Sequence, residues 1–336
     1  MAFYETMKLE KGMYNVSGKS FSQVLEELDP SRNYIGTELE GLDAYQRQLK
    51  RFDIKVSGEN CDTVERFFQT TESAALFPEF VSRAVQQGID RANHLSDMIA
   101  TVTRIDASDY RTVTATNGSG VGSAVTEGNA LPETVIQNQA SLVNMKKHGR
   151  LIKSSYEALR FHKLDLFAVM LRQIGAEIIR EQLVEAATVL YNGDGNNNAA
   201  AKTTLKAVPT YSDLLSLWGT VAPFELNTLI ASTATMKDLL SITEFKDAVA
   251  GLNFQGTGNI GTPMGANLIH VPSFTDGVVL GFDKNCALEM VQAGPVLVDY
   301  DKLMDRQLEC ASISAICGFA KIYPAAVHAL NYTVSE

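Results

Sequence analysis

The chain has 336 residues, of which 45% are hydrophobic and 20% charged, and its formal net charge is −10 at pH 7. This composition is typical of a globular protein with a sizeable core and excludes a largely disordered chain. The acidic balance also excludes the uniformly basic surface that binds nucleic acid tightly, so any contact with DNA is expected to be weak and non-specific.

Membrane insertion, secretion and a zinc site are not expected. No run reaches the roughly 18 apolar residues of a membrane span. The N-terminus, "MAFYETMKLEKGMYNVSG", lacks the basic and apolar regions of a signal peptide. The cysteines have no CxxC spacing and no histidine at zinc-ligand distance, so we expect reduced, mostly buried thiols in a cytoplasmic protein. These cysteines are Cys61, Cys286, Cys310 and Cys317.

Residues 1–75 contain short helical patterns separated by breaks. The stretch "SFSQVLEELDPSRNY" is interrupted at Asp29-Pro30, and "TELEGLDAYQRQLKRF" spaces its apolar residues by three and four. Each piece is too short to form a core alone. Two interpretations therefore stay open: the pieces dock on a larger body, or they form an arm that reaches another subunit. Next, Pro78 in "ALFPEFVSRAV" predicts the start of a helix.

A glycine-rich stretch, "TNGSGVGSAVTEGNALPET", occupies residues 116–134. Strand formers on both sides of it predict a long hairpin whose tip cannot bury itself. A phosphate-binding loop is not favoured, because the Lys-Ser/Thr pair of a Walker loop is missing. The glycines are also spaced G-x-G-x-G, so the third glycine of the dinucleotide fingerprint is not where that motif needs it. We interpret the stretch as a pliable loop tip.

One long amphipathic helix is predicted over residues 163–191. Roughly 28 residues correspond to about 40 Å of helix, and "YNGDG" supplies the asparagine and glycine that end it. The alternate Asn192, Asp194, Asn196 and Asn198 suggest a calcium loop, but asparagine and threonine stand where the glycine and glutamate belong, so a helix end is favoured. The apolar stripe consists of Leu164, Phe167, Leu171, Ile174, Ile178 or Ile179, Leu183 and Leu190, together with Ala187.

No catalytic constellation is found along the chain, so the sequence predicts no enzyme and no cofactor. The five histidines are scattered, without a metalloprotease motif or a neighbouring nucleophile. From about residue 205, short helices and strands alternate, which predicts a subdomain with a central sheet, and the chain closes in long strands.

One basic cluster stands out and predicts a solvated strand face, an intersubunit contact or a contact with a polyanion. It consists of Lys146, Lys147, His148, Arg150 and Lys153.

The order of these parts over residues 72–330 resembles the major capsid proteins of tailed bacteriophages, which have the Hong Kong 97-type fold, an α+β fold also used by encapsulins. No single motif is diagnostic, and the resemblance depends on order and spacing. The matching segments are "ALFPEFVSRAV", "EGNALPET", the strand and short helix "KKHGRLIKSSYEAL", "LYNGDG", "NTLIASTATMKDLLS", "GTPMGANLIHVPSF" and "VVLGFD".

The resemblance implies a domain organisation. It places an N-terminal arm at 1–75, a peripheral domain at 76–105 and 136–204 with the spine helix at 163–191, and an extended loop at 106–135. It also places an axial domain at 205–294, peripheral strands at 295–322, and an axial return with the C-terminus at 323–336. The extended loop would contact a neighbouring subunit through Gly118, Gly120, Gly122, Glu127, Pro132 and Glu133.

A function is implied by the same resemblance. Such subunits self-assemble through hexamers and pentamers into an icosahedral phage head around double-stranded DNA, in the host bacterial cytoplasm. The partners would be further copies of the chain, a separate scaffolding protein, a portal protein, packaged DNA and, in some phages, a decoration protein, with no membrane. Residues 106–136 contain no lysine and 295–330 no asparagine, so the isopeptide cross-link of some family members is not expected. The alternatives are an encapsulin-like nanocompartment shell and, from another class, a cytosolic α/β enzyme.

Overall fold

A computed structural model shows two compact units. Unit 1 comprises Met1–Ala92, Gly149–Ile178 and Val296–Ser314; unit 2 comprises Asn93–His148, Ile179–Pro295 and Ala315–Glu336. These divisions differ from the predicted domains, because residues 93–105, 136–148, 179–204 and 315–322 of the predicted peripheral domain belong to unit 2. The structure describes residues 3–16, 19–107, 109–117, 124–131, 133–155, 161–246, 263–294, 296–303 and 308–333.

Short helices and one long one build unit 1. Capping boxes start three of the short helices. In two of them, the Ser20 and Asp43 side chains accept from the backbone N–H of Gln23 and Gln46, whose own side chains accept in return. The helices are α1 (Phe3–Thr6), α2 (Phe21–Leu28), α3 (Ala44–Arg51), α4 (Thr71–Ala74), α5 (Phe77–Ala92) and the first half of α6 (Leu164–Asn192).

The arm predicted for residues 1–75 requires a correction, because the described part of this segment is docked within unit 1. Its apolar side chains share one core cluster with those of α5 and α6. A buried ion pair of 2.7 Å between Arg47 Nε and Asp29 Oδ2 adds a fixed polar contact. The short helices carry enough aromatic and aliphatic surface to bury themselves once α5 and α6 supply a platform. The cluster includes Phe21, Leu25, Tyr45, Leu49, Val64, Phe67, Phe77, Val81 and Leu171.

Two glycines permit α5 and α6 to cross at close range. A Cβ added to Gly88 would collide with the carbonyl oxygen of Arg172, and one added to Gly175 would collide with that of Val85. Each helix therefore leaves out a side chain where the backbone of the other passes. The predicted spine helix is confirmed to within one residue at each end, since α6 runs from Leu164 to Asn192.

A five-stranded sheet forms the centre of unit 2, in the order β5-β12-β8-β6-β7. β8 is buried at every position and pairs antiparallel with both β6 and β12. Helix side chains from α7 and α8 complete the core cluster on this sheet. The elements are β5 (Ala201–Thr204), α7 (Tyr211–Val221), β6 (Thr228–Ala231), α8 (Thr233–Leu240), α9 (Thr243–Lys246), β7 (Asn267–His270), β8 (Val278–Phe282) and β12 (Val327–Asn331).

The remaining strands form a second five-stranded sheet and a separate hairpin. In unit 2, β1 pairs parallel with β9, and β9 pairs antiparallel with β11; in unit 1, β10 pairs antiparallel with β11. β4 also pairs with β11. β4 continues to Ser155, and residues 156–160, where the predicted short helix of "KKHGRLIKSSYEAL" would lie, are outside the described part. The strands are β1 (Thr101–Ile105), β2 (Val113–Asn117), β3 (Thr134–Asn138), β4 (Lys146–Ser155), β9 (Leu288–Ala293), β10 (Leu297–Leu303) and β11 (Leu308–Lys321).

Candidate interaction surfaces

The predicted hairpin is present in unit 2. β2 and β3 pair antiparallel, with Val113 opposite Asn138 and Asn117 opposite Thr134, and they form a two-stranded sheet of their own. Every residue of β3 is exposed. Ile136 is 71% exposed and Leu131 80% exposed, whereas an isolated two-stranded hairpin is marginally stable in water. The hairpin therefore presents apolar surface that its own chain leaves uncovered.

The predicted contact residues of the loop fall partly within the described part of the chain. Glu127 and Glu133 are described, and both are exposed. Gly118, Gly120, Gly122 and Pro132 lie outside the described residues. The segment from Thr112 to Met145 contains these two glutamates and no lysine or arginine, so the hairpin as a whole is acidic.

A buried carboxylate fixes the root of the hairpin. Glu289, on β9, accepts hydrogen bonds from the hydroxyls of Thr103 and Thr112, and from the Tyr110 hydroxyl at 2.9 Å. Burial and the bond to Glu289 raise the pKa of Tyr110, so this hydroxyl stays a donor. Thr112 is the residue before β2, and β1 supplies Thr103. The side chain of Glu289 thus ties the start of the hairpin to β1 and β9.

Amide side chains hold the returning strand of the hairpin. The Gln139 amide donates to the carbonyl oxygen of Lys321 at 2.6 Å and accepts from the Asn196 amide at 2.6 Å. On the other strand, the Thr114 hydroxyl donates to the carbonyl oxygen of Ile322 at 3.0 Å. Because both strands are tied at the root, the uncovered apolar surface lies beyond it. Sequence reasoning missed this network, since its partners are far apart along the chain.

The basic cluster is divided between the two faces of β4, as alternation along a strand requires. Lys146 Nζ lies 2.9 Å from Glu185 Oε1, and His148 Nε2 lies 3.0 Å from Glu185 Oε2. In unit 1, Arg150 Nε lies 3.7 Å from Glu177 Oε2. Three of the five cluster residues therefore have acidic partners on α6 within the chain. Lys147 and Lys153 are exposed and remain candidates for a contact with another chain or a polyanion.

The predicted apolar stripe of the spine helix is confirmed as core. Leu164, Phe167, Leu171, Ile178, Ile179, Leu183, Ala187 and Leu190 are buried, and Ile174 is half-buried. Sequence reasoning missed a second, outward stripe, in which Leu166, Val169 and Met170 are each 44% exposed or more. Their spacing of three and four was the available signal. The first half of α6 therefore exposes three large apolar side chains on the side that faces away from the core.

A second uncovered helix face was also missed. On α7 in unit 2, Leu215 is 45% exposed and Trp218 is 56% exposed, while Leu214, Leu217 and Val221 are buried in the core. These two exposed side chains are three residues apart and share one side of the helix. The signal was a helix of eleven residues with a single charged residue, Asp213.

Burial disfavours reactivity of the cysteine thiols. Cys61, Cys310 and Cys317 are buried, and Cys286 is half-buried. Burial, with Glu185 nearby, raises the pKa of Cys317 to about 12, which keeps this thiol protonated at neutral pH. Among the described residues, no group of three or more His, Cys, Asp or Glu side chains is arranged to hold a metal ion. No described helix combines the length and apolarity that crossing a membrane requires.

The chain thus has a hairpin that is fixed at its root and apolar side chains that are exposed on the hairpin, α6 and α7. Comparison with known proteins identifies its class. A sequence model of the phage capsid protein family matches residues 136–303, which is half of the chain. The chain therefore belongs to the phage capsid protein family, and the prediction of a tailed-bacteriophage major capsid protein is confirmed. No curated protein sequence matches the chain.

Solved structures show the same fold at low sequence identity. A virus-like particle from Pyrococcus furiosus aligns over 75% of this chain and 98% of its own, at 13% identity and a TM-score of 0.50. The protein of Microbacterium phage Oxtober96 aligns over 71% and 91%, at 10% identity and 0.51. The capsid of a native GTA particle aligns over 70% and 89%, at 15% identity and 0.51. The predicted Hong Kong 97-type fold is confirmed.

Proposed function

We propose that this capsid protein is the main subunit of a phage head, which it builds through hexamers and pentamers into an icosahedral shell around double-stranded DNA. The observation that carries the proposal is the β2–β3 hairpin, whose root is tied to unit 2 and whose apolar residues are uncovered. In a shell, each subunit extends its hairpin onto one neighbour and receives the hairpin of another. One contact type, repeated in a ring, then closes each capsomer.

Burial of hydrophobic side chains supplies the driving force for this contact. Ile136 and Leu131 expose more than two thirds of their surface. Covering a side chain of this kind contributes about 1.5–3 kcal/mol when burial is complete. Because every subunit repeats the contact, modest free energies per hairpin add up over the shell. The same burial would fix a hairpin that is marginal by itself.

The shell is proposed to be held by non-covalent contacts. The absence of lysine from 106–136 and of asparagine from 295–330 removes the partners of a cross-link between a loop lysine and an asparagine. The net charge of −10 opposes tight binding of the packaged polyanion, which favours packing and release of DNA. Within the proposal, a separate scaffolding protein, a portal protein and possible decoration protein are the further partners, and assembly takes place in the host cytoplasm.

A nanocompartment shell is the second candidate, because the same fold occurs in the virus-like particle from Pyrococcus furiosus. The family match to phage capsid proteins favours the phage head. An enzyme is not proposed, since the described residues present no catalytic arrangement that would support one.

A substitution that places a charge on the hairpin tests the proposal. Ile136→Asp is expected to leave a folded, soluble subunit, because the side chain is exposed, and to abolish shells. Light scattering and negative-stain microscopy of the expressed protein, with and without a co-expressed scaffold, measure the outcome. Ile35→Asp is the matched control, since Ile35 is also 71% exposed but lies in unit 1. Shells from Ile136→Asp would contradict the proposal, and failure of both variants would remove the support for the hairpin.

A further inference from the structure

The loop between α6 and β5, residues 193–200, carries the alternate polar side chains that suggested a calcium loop. In the structure, oxygens of these side chains accept hydrogen bonds from other segments of unit 2. Asp194 Oδ2 accepts from the backbone N–H of Lys321 at 2.8 Å, and Asn196 Oδ1 accepts from that of Ser141 at 2.8 Å. The alternation therefore ties the loop to the end of β11 and to the segment that follows β3.

Asn196 is the side chain of this loop that reaches the hairpin. Its Nδ2 donates to Gln139 Oε1 at 2.6 Å, one residue beyond β3, and to Asp194 Oδ1 at 2.9 Å. The Ser141 hydroxyl adds a further link, since it donates to the carbonyl oxygen of Gly195 at 3.1 Å. The chain that returns from the hairpin is thus held at two points by the loop that follows α6.

The polarity of this link admits one arrangement. The carbonyl oxygen of Lys321 can only accept, so it takes the amide N–H of Gln139 and leaves Gln139 Oε1 to accept. Asn196 must then present its N–H group to Gln139 and its oxygen to the backbone N–H of Ser141. Asn196→Asp would remove the donor and place a second carboxylate beside Asp194. The link therefore depends on the amide of Asn196.

The same link is anchored on the end of α6. Lys321 Nζ donates to the carbonyl oxygen of Leu190 at 3.1 Å, in the last turn of this helix of 29 residues. The backbone N–H and carbonyl oxygen of Lys321 bond to Asp194 and Gln139. The root of the hairpin and the end of α6 thus form one hydrogen-bonded group within unit 2.

This group controls the direction of the hairpin. Among the described residues, β2 and β3 pair with each other in a sheet of two strands, so contacts at the root determine how the hairpin leaves unit 2. Ordering a flexible segment during association is unfavourable, and fixing it in advance raises affinity without adding a contact. A hairpin held by its root is therefore ready to bind.

We infer that Asn196 is a positioning residue for assembly, because it fixes the direction of the β2–β3 hairpin before a neighbour binds it. The inference rests on the proposed function, since a positioned hairpin matters only if a neighbouring copy receives it. It concerns a residue outside the contact itself. Ile136 supplies apolar surface to the neighbour, whereas Asn196 acts through Gln139 and Ser141.

Asn196→Asp tests the inference in the full-length chain, under the conditions in which the wild type forms particles. Asn197→Asp is the matched control, because it adds the same charge to an exposed side chain of the same loop. Sedimentation measures the concentration of unassembled chain that remains beside particles. Mass-spectrometric hydrogen exchange compares β3 with the buried β8 in both states. Asn196→Ala removes the link without a second carboxylate, and it decides the question if Asn196→Asp does not fold.

The β3 amides of unassembled Asn196→Asp are expected to exchange faster than those of the wild type, with β8 unchanged. The concentration of chain left unassembled should be at least about fivefold higher than for the wild type, and Asn197→Asp should match the wild type. Particles that do form should protect β3 as strongly as wild-type particles, because the contact surface is intact. A residue that only stabilises the fold would not give this combination.

Two results would overturn this inference and leave the proposed function standing. One is an unassembled concentration of Asn196→Asp that equals that of the wild type or of Asn197→Asp. The other is exchange that is unchanged in β3, or that accelerates equally in β3 and β8 of both Asn196 variants, since Asn196 would then not hold the hairpin specifically. Absence of wild-type particles under every condition, including co-expression of a scaffold, would contradict both.

Discussion

Lys321 is a lysine without exposed surface, on β11 in unit 2. Its ammonium group donates to the carbonyl oxygen of Leu190 at 3.1 Å, near the end of α6, and Asp194 accepts from its backbone N–H at 2.8 Å. Burial lowers the pKa of Lys321 to about 8, and the nearby Asp194 only partly opposes the shift. The ammonium group of Lys321 thus pairs with a carbonyl oxygen near the end of a helix, although removing its charge from water is unfavourable.

This depressed pKa predicts a pH dependence of stability. Between pH 8 and the ordinary lysine pKa of 10.5, the unfolded chain binds a proton at Lys321 that the folded chain has lost. The contribution of this group to stability therefore rises with pH in that window, and its unfavourable effect is complete below pH 8. Relative to Lys321→Met, the wild-type free energy of unfolding should increase by up to about 3 kcal/mol across the window.

Urea unfolding of the unassembled chain at a series of pH values measures this difference. Lys153→Met is the control, because Lys153 is exposed and the same substitution there removes no buried charge. Subtraction of the variant from the wild type cancels the titration of other groups. Parallel pH profiles for wild type and Lys321→Met would show that the ammonium is hydrated in the folded protein.

At the scale of elements, hydrogen bonds fix the root of the hairpin, and the apolar side chains beyond the root are uncovered. Glu289→Gln replaces a carboxylate that accepts three hydroxyl donors by an amide with one acceptor oxygen. We expect the free energy of unfolding to fall by about 1–3 kcal/mol. We also expect amide hydrogen exchange in β2 and β3 to accelerate more than in the buried β8, because the variant loosens the root first.

Mass-spectrometric hydrogen exchange on the unassembled chain distinguishes these strands. Glu133→Gln is the matched control, since it makes the same chemical change at an exposed position of the hairpin. Equal acceleration in β2, β3 and β8 would mean that Glu289 supports unit 2 in general and does not specifically hold the hairpin.

Elements set by local patterns could be predicted from the sequence. The long helix follows from its apolar stripe and from the Asn192-Gly193 end, where Gly193 takes a positive φ of 88°. The hairpin follows from strand formers on both sides of a glycine-rich segment. The contacts that could not be predicted join residues far apart in the sequence. Glu289 accepts a hydrogen bond from Thr112, 177 positions away, and Lys146 on β4 pairs with Glu185 on α6. A single sequence carries no signal for such pairs.

The docking of residues 3–75 belongs to the same category. The spacing of apolar residues predicted short helices correctly, but spacing does not show whether the platform they need is in the same chain or another. The Tyr14 hydroxyl accepts from the backbone N–H of Glu79 at 3.1 Å, and Arg83 Nη1 lies 2.6 Å from Asp43 Oδ2, so α5 supplies part of the platform. These contacts lie within unit 1, and they leave the hairpin of unit 2 as the predicted extended element that the chain itself does not cover.

At the scale of the whole molecule, the described part of the chain exposes large apolar side chains on three separate elements. The hairpin, the outer side of α6 and the outer side of α7 are each exposed while the cores beneath α6 and α7 are well buried. Assembly of many copies would cover all three without changing the fold of either unit. The net charge of −10 opposes this association, so apolar contacts must supply the favourable free energy.

Hydrogen exchange of the hairpin amides before and after assembly tests the central claim most directly. Residues 113–117 and 134–138 should exchange faster in the unassembled chain than in particles, because in particles a neighbour covers them and protects their amides further. Exchange in β8 should be slow in both states, since this strand is buried within its own unit. Particles in which the hairpin exchanges as fast as in the unassembled chain would contradict the account, because the subunits would then be joined without it.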